Sequence, residues 1–395
     1  MSMIIGNQQI SKVEKGDTRI FWGLFFPTIV LSIQLILTTA KIFPLEVTKP
    51  IVFLVSGLSI LTAIPSIIRR NRKKFFYAYV FTITIILVTY LIFPNNRIYL
   101  KQECKYIFLL CLPSFLGIAS IKELNVLKEN LLRFSYIMVI TVIIYVILIL
   151  VGRISVLQGD YNMAFSYYLL IPSIILFEQR HRLINFVLFI GVTLSVLFFG
   201  SRGALFSIVL YMIISSFILS KKRNTVVITI IGIFFLVFYK EITRMLLELA
   251  NILGIYSRSI YLLLSNEFIT HNSGRDVFYE KILSYLKEYP IFGNGLWGDR
   301  VILEGAYSHN LILELTVNFG IFLGPIIIAT LIYLMVKVWL KSDIESKKIF
   351  LLFICSGLIP LFVSGSYLKS AEFWIFLGSL IMLRKKPNLF NYRSN

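Results

Sequence analysis

The sequence predicts an all-helical, polytopic membrane protein, and three observations carry that expectation. Of its 395 residues 57% are hydrophobic and 15% charged, with a mean hydropathy of +0.83; soluble domains hold about half apolar and about a quarter charged residues. Apolar runs of roughly 17 to 22 residues recur along the whole length, each long enough at about 1.5 Å per residue to cross a hydrocarbon core of about 30 Å. Short charged segments separate the runs, and every second one is strongly basic.

The runs place spans at 20–40, 51–68, 75–93, 105–121, 133–151, 161–177, 183–200, 203–220, 224–239, 309–335, 348–366 and 371–383, about twelve in all. The stretch from Met1 to Arg19 is polar and carries Glu14 and Asp17. The apolar run after it is long enough to span and lacks a small-residue cleavage site, so the first span is expected to stay as an anchor. Arg69, Arg70, Arg72, Lys73 and Lys74, with Lys221, Lys222 and Arg223, are typical of the basic loops, which together hold 24 lysines and arginines against 8 in the opposite short loops. The positive-inside rule then puts both termini in the cytoplasm. The net charge of +19 is mostly this inner rim lying against anionic lipid, and it gives no reason to invoke nucleic acid.

Cys104 and Cys111 are seven positions apart on or beside one helix and Cys355 falls in another span, so no structural disulfide is expected. No internal repeat, low-complexity tract or Pro/Gly/Ser linker divides the chain. The expected organisation is a single membrane domain over 1–395 with one large extracytoplasmic loop at 240–308.

That loop holds amphipathic helices. Ile242, Met245, Leu246, Leu249, Ile252 and Leu253 recur at helical spacing, which suits a helix lying on the membrane surface or on the other spans. Ser273-Gly274-Arg275-Asp276 reads as a capping box opening a second helix with the stripe Phe278, Ile282, Tyr285 and Tyr289, stopped by Pro290. Arg275 then sits in a first turn that already favours an anion. Gly293, Gly295 and Gly298 formally match a dinucleotide fingerprint, but that pattern has meaning only inside a βαβ unit. The expected role is a turn that brings backbone close to a ligand or another helix.

Ser308-His309-Asn310 opens the tenth span and places His309 at the water–lipid boundary near a helix N-terminus, which lowers its pKa and favours a neutral, proton-accepting ring. Arg202 follows Gly200-Ser201 in a tight outer turn. An interfacial histidine commonly serves as a structural hydrogen bonder and an arginine as a snorkelling anchor, but anchors favour the basic face and Arg202 lies on the other. Arg275 can pair with Asp276 or Glu280, and Glu314 and the cap at Asp160-Tyr161 also have structural readings. Topology nevertheless brings Arg202, Arg275 and His309 to one outer face, where arginine forks suit a diphosphate and the histidine suits acid/base work. No HExxH, CxxC or carboxylate pair of ligand spacing accompanies them, so neither metal nor cofactor is expected.

Phe199-Gly200-Ser201-Arg202-Gly203-Ala204, then Ser273-Gly274-Arg275 with Pro290 to Gly295, then Ser308-His309-Asn310 to Leu315 with Asn318-Phe319-Gly320, resemble in order and spacing the O-antigen ligase/polymerase family of membrane glycosyltransferases, the Wzy and WaaL type. Asp160 to Tyr167 further resembles a segment of capsule and exopolysaccharide polymerases. The resemblance implies the glycosyltransferase C type of fold in a bacterial cytoplasmic membrane. It also implies a metal-independent reaction on undecaprenyl diphosphate-linked oligosaccharide, with a chain-length regulator and a flippase as protein partners. Arg202 and Arg275 would clamp the diphosphate and His309 would act as base or orient the attacking hydroxyl. Tyr161, Asn310 and Glu314 are additional candidates. The arginine many ligases carry before the sixth span has no clear match, which leaves Arg153 or Arg258 as the third basic ligand. Three activities stay open: polymerisation of lipid-linked repeat units, ligation to lipid A core or protein, and a flippase or transporter. The last would show repeated halves and mid-membrane charges.

Overall fold

A computed structural model describes residues 2–154, 163–219, 238–252, 254–265, 274–288 and 291–384. Its regular elements are all helices. In chain order they are α1 (Ser2–Thr39), α2 (Leu45–Ile92), α3 (Arg97–Tyr106), α4 (Leu112–Ile118), α5 (Leu124–Leu150), α6 (Met163–Tyr168), α7 (Leu170–Glu178), α8 (Leu183–Phe198), α9 (Arg202–Ile218), α10 (Tyr239–Ile252), α11 (Arg258–Leu264), α12 (Arg275–Glu288), α13 (Gly298–Ile302), α14 (Leu311–Lys341), α15 (Ile344–Phe353) and α16 (Ala371–Arg384). The apolar run expected at 224–239 falls almost wholly outside the described residues.

Among the described residues four helices are long and apolar enough to cross a membrane: Lys12–Thr39 of α1, then α2, α5 and α14. The stretches Met163–Glu178, Leu183–Phe198 and Arg202–Ile218 are apolar but shorter. Exposed side chains along α2 (Phe53, Leu54, Leu58, Phe81, Leu91) and α14 (Phe322, Leu323, Ile326, Ile332) are those of a lipid-facing surface. Hydroxyls on the apolar helices turn back onto their own carbonyls: Ser32 Oγ donates to Thr28 at 2.8 Å, Ser135 to Leu131 at 2.7 Å and Ser207 to Gly203 at 2.9 Å. No water is available in a hydrocarbon core, so such local bonds are how a helix carries serine there.

The described chain forms two compact units. The first comprises Met1–Leu24, Ile60–Leu124 and Asn272–Asn395. Within it α16 packs on α4, and Gly378 faces the carbonyl of Phe115 so closely that a Cβ would strike it. Gly117 is likewise closed over by Leu24 and Ile20. Small residues at such crossings let helix backbones approach, which matters where lipid supplies no hydrophobic drive for helix association.

The basic run 69–74, expected as a loop between spans 51–68 and 75–93, is a one-residue break inside α2, at Asn71 with φ −142° and ψ 43°. The cause is buried Asp17, which pairs with Arg70 and accepts the backbone N–H of Glu123 at 2.8 Å. Arg70 also donates to the carbonyls of Ser120 (3.0 Å) and Val13 (2.8 Å), and Asn71 Nδ2 donates to Ser120 Oγ at 2.7 Å. The polar cluster outweighs one turn of helix, so the chain bends there.

The second unit comprises Phe25–Ser59 and Asn125–His271. Its centre holds Tyr145, Phe165 and Phe199 with ring centroids 4.8 to 5.4 Å apart. Ser215 Oγ donates to Glu178 at 2.6 Å and Tyr136 to Asn185 Oδ1 at 2.9 Å, satisfying polar groups between packed helices. A further cluster joins Leu197, Ala250 and Ile260 with Leu246, Leu247 and Leu263 packed on it, so α10 and α11 lie against α8. Of the stripe expected at 242–253 only Leu246 enters this contact, and Met245, Leu249 and Ile252 are exposed.

Candidate active site

In the first unit, α12, α13 and the start of α14 are held by one small core of Ile282, Leu286, Leu303 and Val317, with Phe278 and Leu313 packed on it. The expected second loop helix thus forms and begins at Arg275. Ser273, Tyr289 and Pro290 lie outside the described residues.

The glycine turn meets a helix. Gly293 has φ +66°, and Asn294 N–H donates to the carbonyl of Val317 at 2.6 Å. Opposite it α14 is broken at Gly320, with φ 81° and ψ 172°. A Cβ at Gly320 would collide with the carbonyl of Ile291, and one at Gly293 would collide with Gly320 N. Both positions need glycine for conformation and for space. Asn96 Nδ2 grips the turn by donating to the carbonyls of Asn294 (2.6 Å) and Leu296 (2.8 Å). Gly320→Val is therefore expected to cost about 1–3 kcal/mol or more. A lower unfolding temperature of the purified protein in detergent checks this; unchanged melting would mean the close approach is not required.

Beyond the turn, Trp297 is fully buried in the left-handed region at φ +62°, and its Nε1–H donates to Glu103 at 2.7 Å. It opens α13, which carries Asp299 and Arg300 into the interior, 0% and 1% exposed. Arg300 Nη1 lies 2.6 Å from Asp299 Oδ1 and 2.8 Å from Glu314 Oε1, and its Nη2 donates to Ser366 Oγ at 2.7 Å. Ser366 in turn donates to Glu314, and Lys369 pairs with Glu103. Burial opposes the Arg300 charge, but the Asp299 and Glu314 carboxylates outweigh it and hold the guanidinium above its ordinary value.

His309 stands on this platform. Ser308 N–H donates to the second oxygen of Asp299 at 3.0 Å, and Asn310 caps α14 by accepting from the N–H groups of Ile312 (3.0 Å) and Leu313 (3.4 Å). Between the two anchors His309 is forced into the left-handed region at φ +53°, a conformation of the kind that collects at functional sites. Its ring lies 3.9 Å from that of Tyr307 and parallel to Phe278 at 6.3 Å. Its Nδ1 is buried without a hydrogen-bond partner among the described residues. Its pKa is lowered to about 4, by burial first and then by the positive charges of Arg275 and Arg300. The direction is the one the sequence suggests, but the causes differ: burial and two cations act where a helix end was expected to.

Of the sequence-predicted residues, Arg275, His309, Asn310 and Glu314 come together in this unit. Glu314 is the buried counter-ion of Arg300, in keeping with its structural reading as one half of an ion pair. Arg202, Arg153 and Arg258 belong to the second unit. There Ser201 Oγ caps α9 by accepting Ala204 N–H at 3.2 Å, which makes Arg202 its first residue. Ser257 Oγ donates to the carbonyl of Leu197 at 2.8 Å and so ties the start of α11, where Arg258 stands, to the end of α8 just before Gly200. Arg153 follows the end of α5 and is exposed. Tyr161 lies outside the described residues. Sequence reasoning missed Asp299, Arg300, Glu103 and Ser366; the available signal was a charged pair set between Trp297-Gly298 and Val301-Ile302-Leu303. Among the described residues no group of three or more His, Cys, Asp or Glu side chains is placed to hold a metal ion.

Residues 184–328, from α8 through the first half of α14, match the family model described as O-Antigen ligase. The match shows that this segment is similar to the O-antigen ligase family, and it supports the resemblance carried by the sequence motifs. No curated protein and no solved structure matches it. The O-antigen ligase segment runs from before Arg202 to beyond Gly320 and so takes in Arg275, the glycine turn, the Asp299-Arg300 pair and His309. The long apolar helices are those of a membrane protein, and the matched segment is similar to a family described as O-antigen ligases.

Proposed function

We propose that the chain is a polysaccharide polymerase of the outer face of the bacterial cytoplasmic membrane. It transfers a glycan from undecaprenyl diphosphate to the non-reducing-end hydroxyl of another lipid-linked repeat unit. The observation that supports this best is His309, neutral at physiological pH, left-handed in backbone and acted on by the Arg275 charge, inside the segment that matches the ligase family. In the reaction the acceptor oxygen bonds to the anomeric carbon as the bond from that carbon to the diphosphate oxygen breaks. The hydroxyl proton passes to His309, and undecaprenyl diphosphate leaves as the anion. Arg275 balances the charge that grows on the leaving group, the kind of fixed electrostatics that contributes most to many enzymatic rates. Arg202 takes the same role by the family resemblance. The chain does this without a metal, working with a chain-length regulator and a flippase, and both termini are cytoplasmic.

The family description itself favours a second reading, transfer of the same donor to lipid A core or to protein. Purified protein in lipid nanodiscs, given a synthetic undecaprenyl diphosphate oligosaccharide with and without chelator, separates the readings. A ladder of longer lipid-linked glycans, unaffected by chelator, is the expected product. Transfer only upon adding lipid A core or a protein acceptor would favour the ligase, and no transfer to any acceptor would leave the transporter.

The pH dependence follows from the His309 environment. A general base must be unprotonated, and a histidine at its ordinary value of 6.5 loses that form below neutrality, whereas His309 keeps it down to about 4. The transfer rate is expected to hold steady from pH 7 to about pH 5 and to fall only below that. A limb falling near pH 6.5 in initial-rate measurements would contradict the buried-base assignment.

A further inference from the structure

We infer that Asp299 and Arg300 are positioning residues for His309, a role the catalytic proposal does not itself contain although its kinetic consequence rests on that proposal. Two separate contacts carry the inference. Asp299 divides its carboxylate: one oxygen holds Arg300 at 2.6 Å, and the other accepts the N–H of Ser308 at 3.0 Å, immediately before His309. Arg300 lies with its guanidinium carbon 5.7 Å from the centre of the Tyr307 ring, and that ring is in contact with the imidazole at 3.9 Å. The pair thus grips the backbone on one side of His309 and the ring against its side chain.

The structure spends a good deal to keep the pair inside. Two charges removed from water need close partners on every side. Arg300 receives them from Asp299, Glu314 and Ser366, with Glu103 at 3.9 Å. The cluster comes from three separated stretches of sequence, at 103, 299–314 and 366–369, and His309 is its partly exposed edge. A buried polar cluster serving stability alone would have no need to hold the backbone N–H of Ser308, which leads directly into left-handed His309. Unique placement is what such a network secures when it is fully satisfied.

The charged and titratable groups around His309 are Arg275 on α12, Asp299 and Arg300 on α13, Glu314 on α14, and Tyr307 beside it. Of these, the cations of Arg275 and Arg300 bear on the imidazole. Asp299→Asn keeps the shape of the side chain but weakens its grip on Ser308. The pair of changes Arg300→Met with Glu314→Gln removes one positive and one negative charge together, which keeps the net charge of the cluster and favours folding.

The test is side-chain NMR of histidine-labelled protein in nanodiscs, where three histidines, His181, His271 and His309, give resolvable signals, alongside kcat and KM for the lipid donor. Asp299→Asn is expected to displace the His309 signals and to lower kcat about tenfold or more with KM little changed. The double variant is expected to raise the His309 titration midpoint by about one pH unit, since a cation near the ring is gone. Arg300→Lys, which retains the charge, should leave the midpoint near the native one. Folded variants with native His309 signals and midpoint would overturn the inference. If His309→Ala retained full activity while Asp299→Asn still displaced the His309 signals, positioning would stand and the catalytic reading would fall.

Discussion

His309→Ala is expected to lower the rate of glycan transfer by at least about 100-fold while the protein remains folded and normally abundant. The floor comes from what a placed general base contributes, about 100- to 10,000-fold. The substitution should leave the fold intact because the ring is only partly buried, its Nδ1 has no partner among the described residues, and the neighbouring anchors are made by Ser308 and Asn310. Donor binding should survive, since the proposed mechanism gives the diphosphate to Arg202 and Arg275 and not to His309. The loss therefore belongs in kcat, with KM for the lipid donor nearly unchanged, as expected when an interaction exists only in the transition state. Unaltered glycan length in cells making normal amounts of the variant would remove His309 from the chemistry and favour the transporter.

Arg300→Ala is expected to destabilise the protein by about 3–5 kcal/mol, the range for removing one partner of a buried ion pair. Asp299 and Glu314, 0% and 1% exposed, would be left facing each other without a cation. The loss should show as a drop in unfolding temperature and in the yield of monodisperse protein in detergent. The coupled change Arg300→Met with Glu314→Gln should recover part of it, because the uncompensated charge is then smaller. Equal melting of the native protein and Arg300→Ala would mean that the cluster is solvated and not the buried lock described above.

Much of the fold was legible because lipid imposes a simple rule. Long apolar runs must be helices when their backbone groups can bond only within the segment, and α1, α5 and α14 follow from composition alone. The α12 helix was legible for a different reason, a local capping motif at 273–276, whereas the Asn310 cap that starts α14 was not singled out in the sequence. The break at Asn71 was not legible, since a run of basic residues reads as a loop whether or not Asp17 waits to receive one of them. Gly320, inside a long apolar helix, gave no sign that it would break the helix, because the cause is the backbone of Ile291 and Gly293 arriving from elsewhere in the chain.

By itself the sequence determined the all-helical, apolar class of the protein and singled out Arg202, Arg275 and His309 as the residues of the proposed chemistry, since hydropathy, capping and side-chain chemistry are local properties that each segment carries with it. The tertiary structure decided what surrounds the imidazole. Burial against Tyr307 and Phe278, the charge of Arg300 and the hold of Asp299 on Ser308 depend on groups between 103 and 369 meeting in one unit. Electrostatics and desolvation act through space, so no spacing along the chain could announce that His309 would stay neutral to about pH 4 for those reasons.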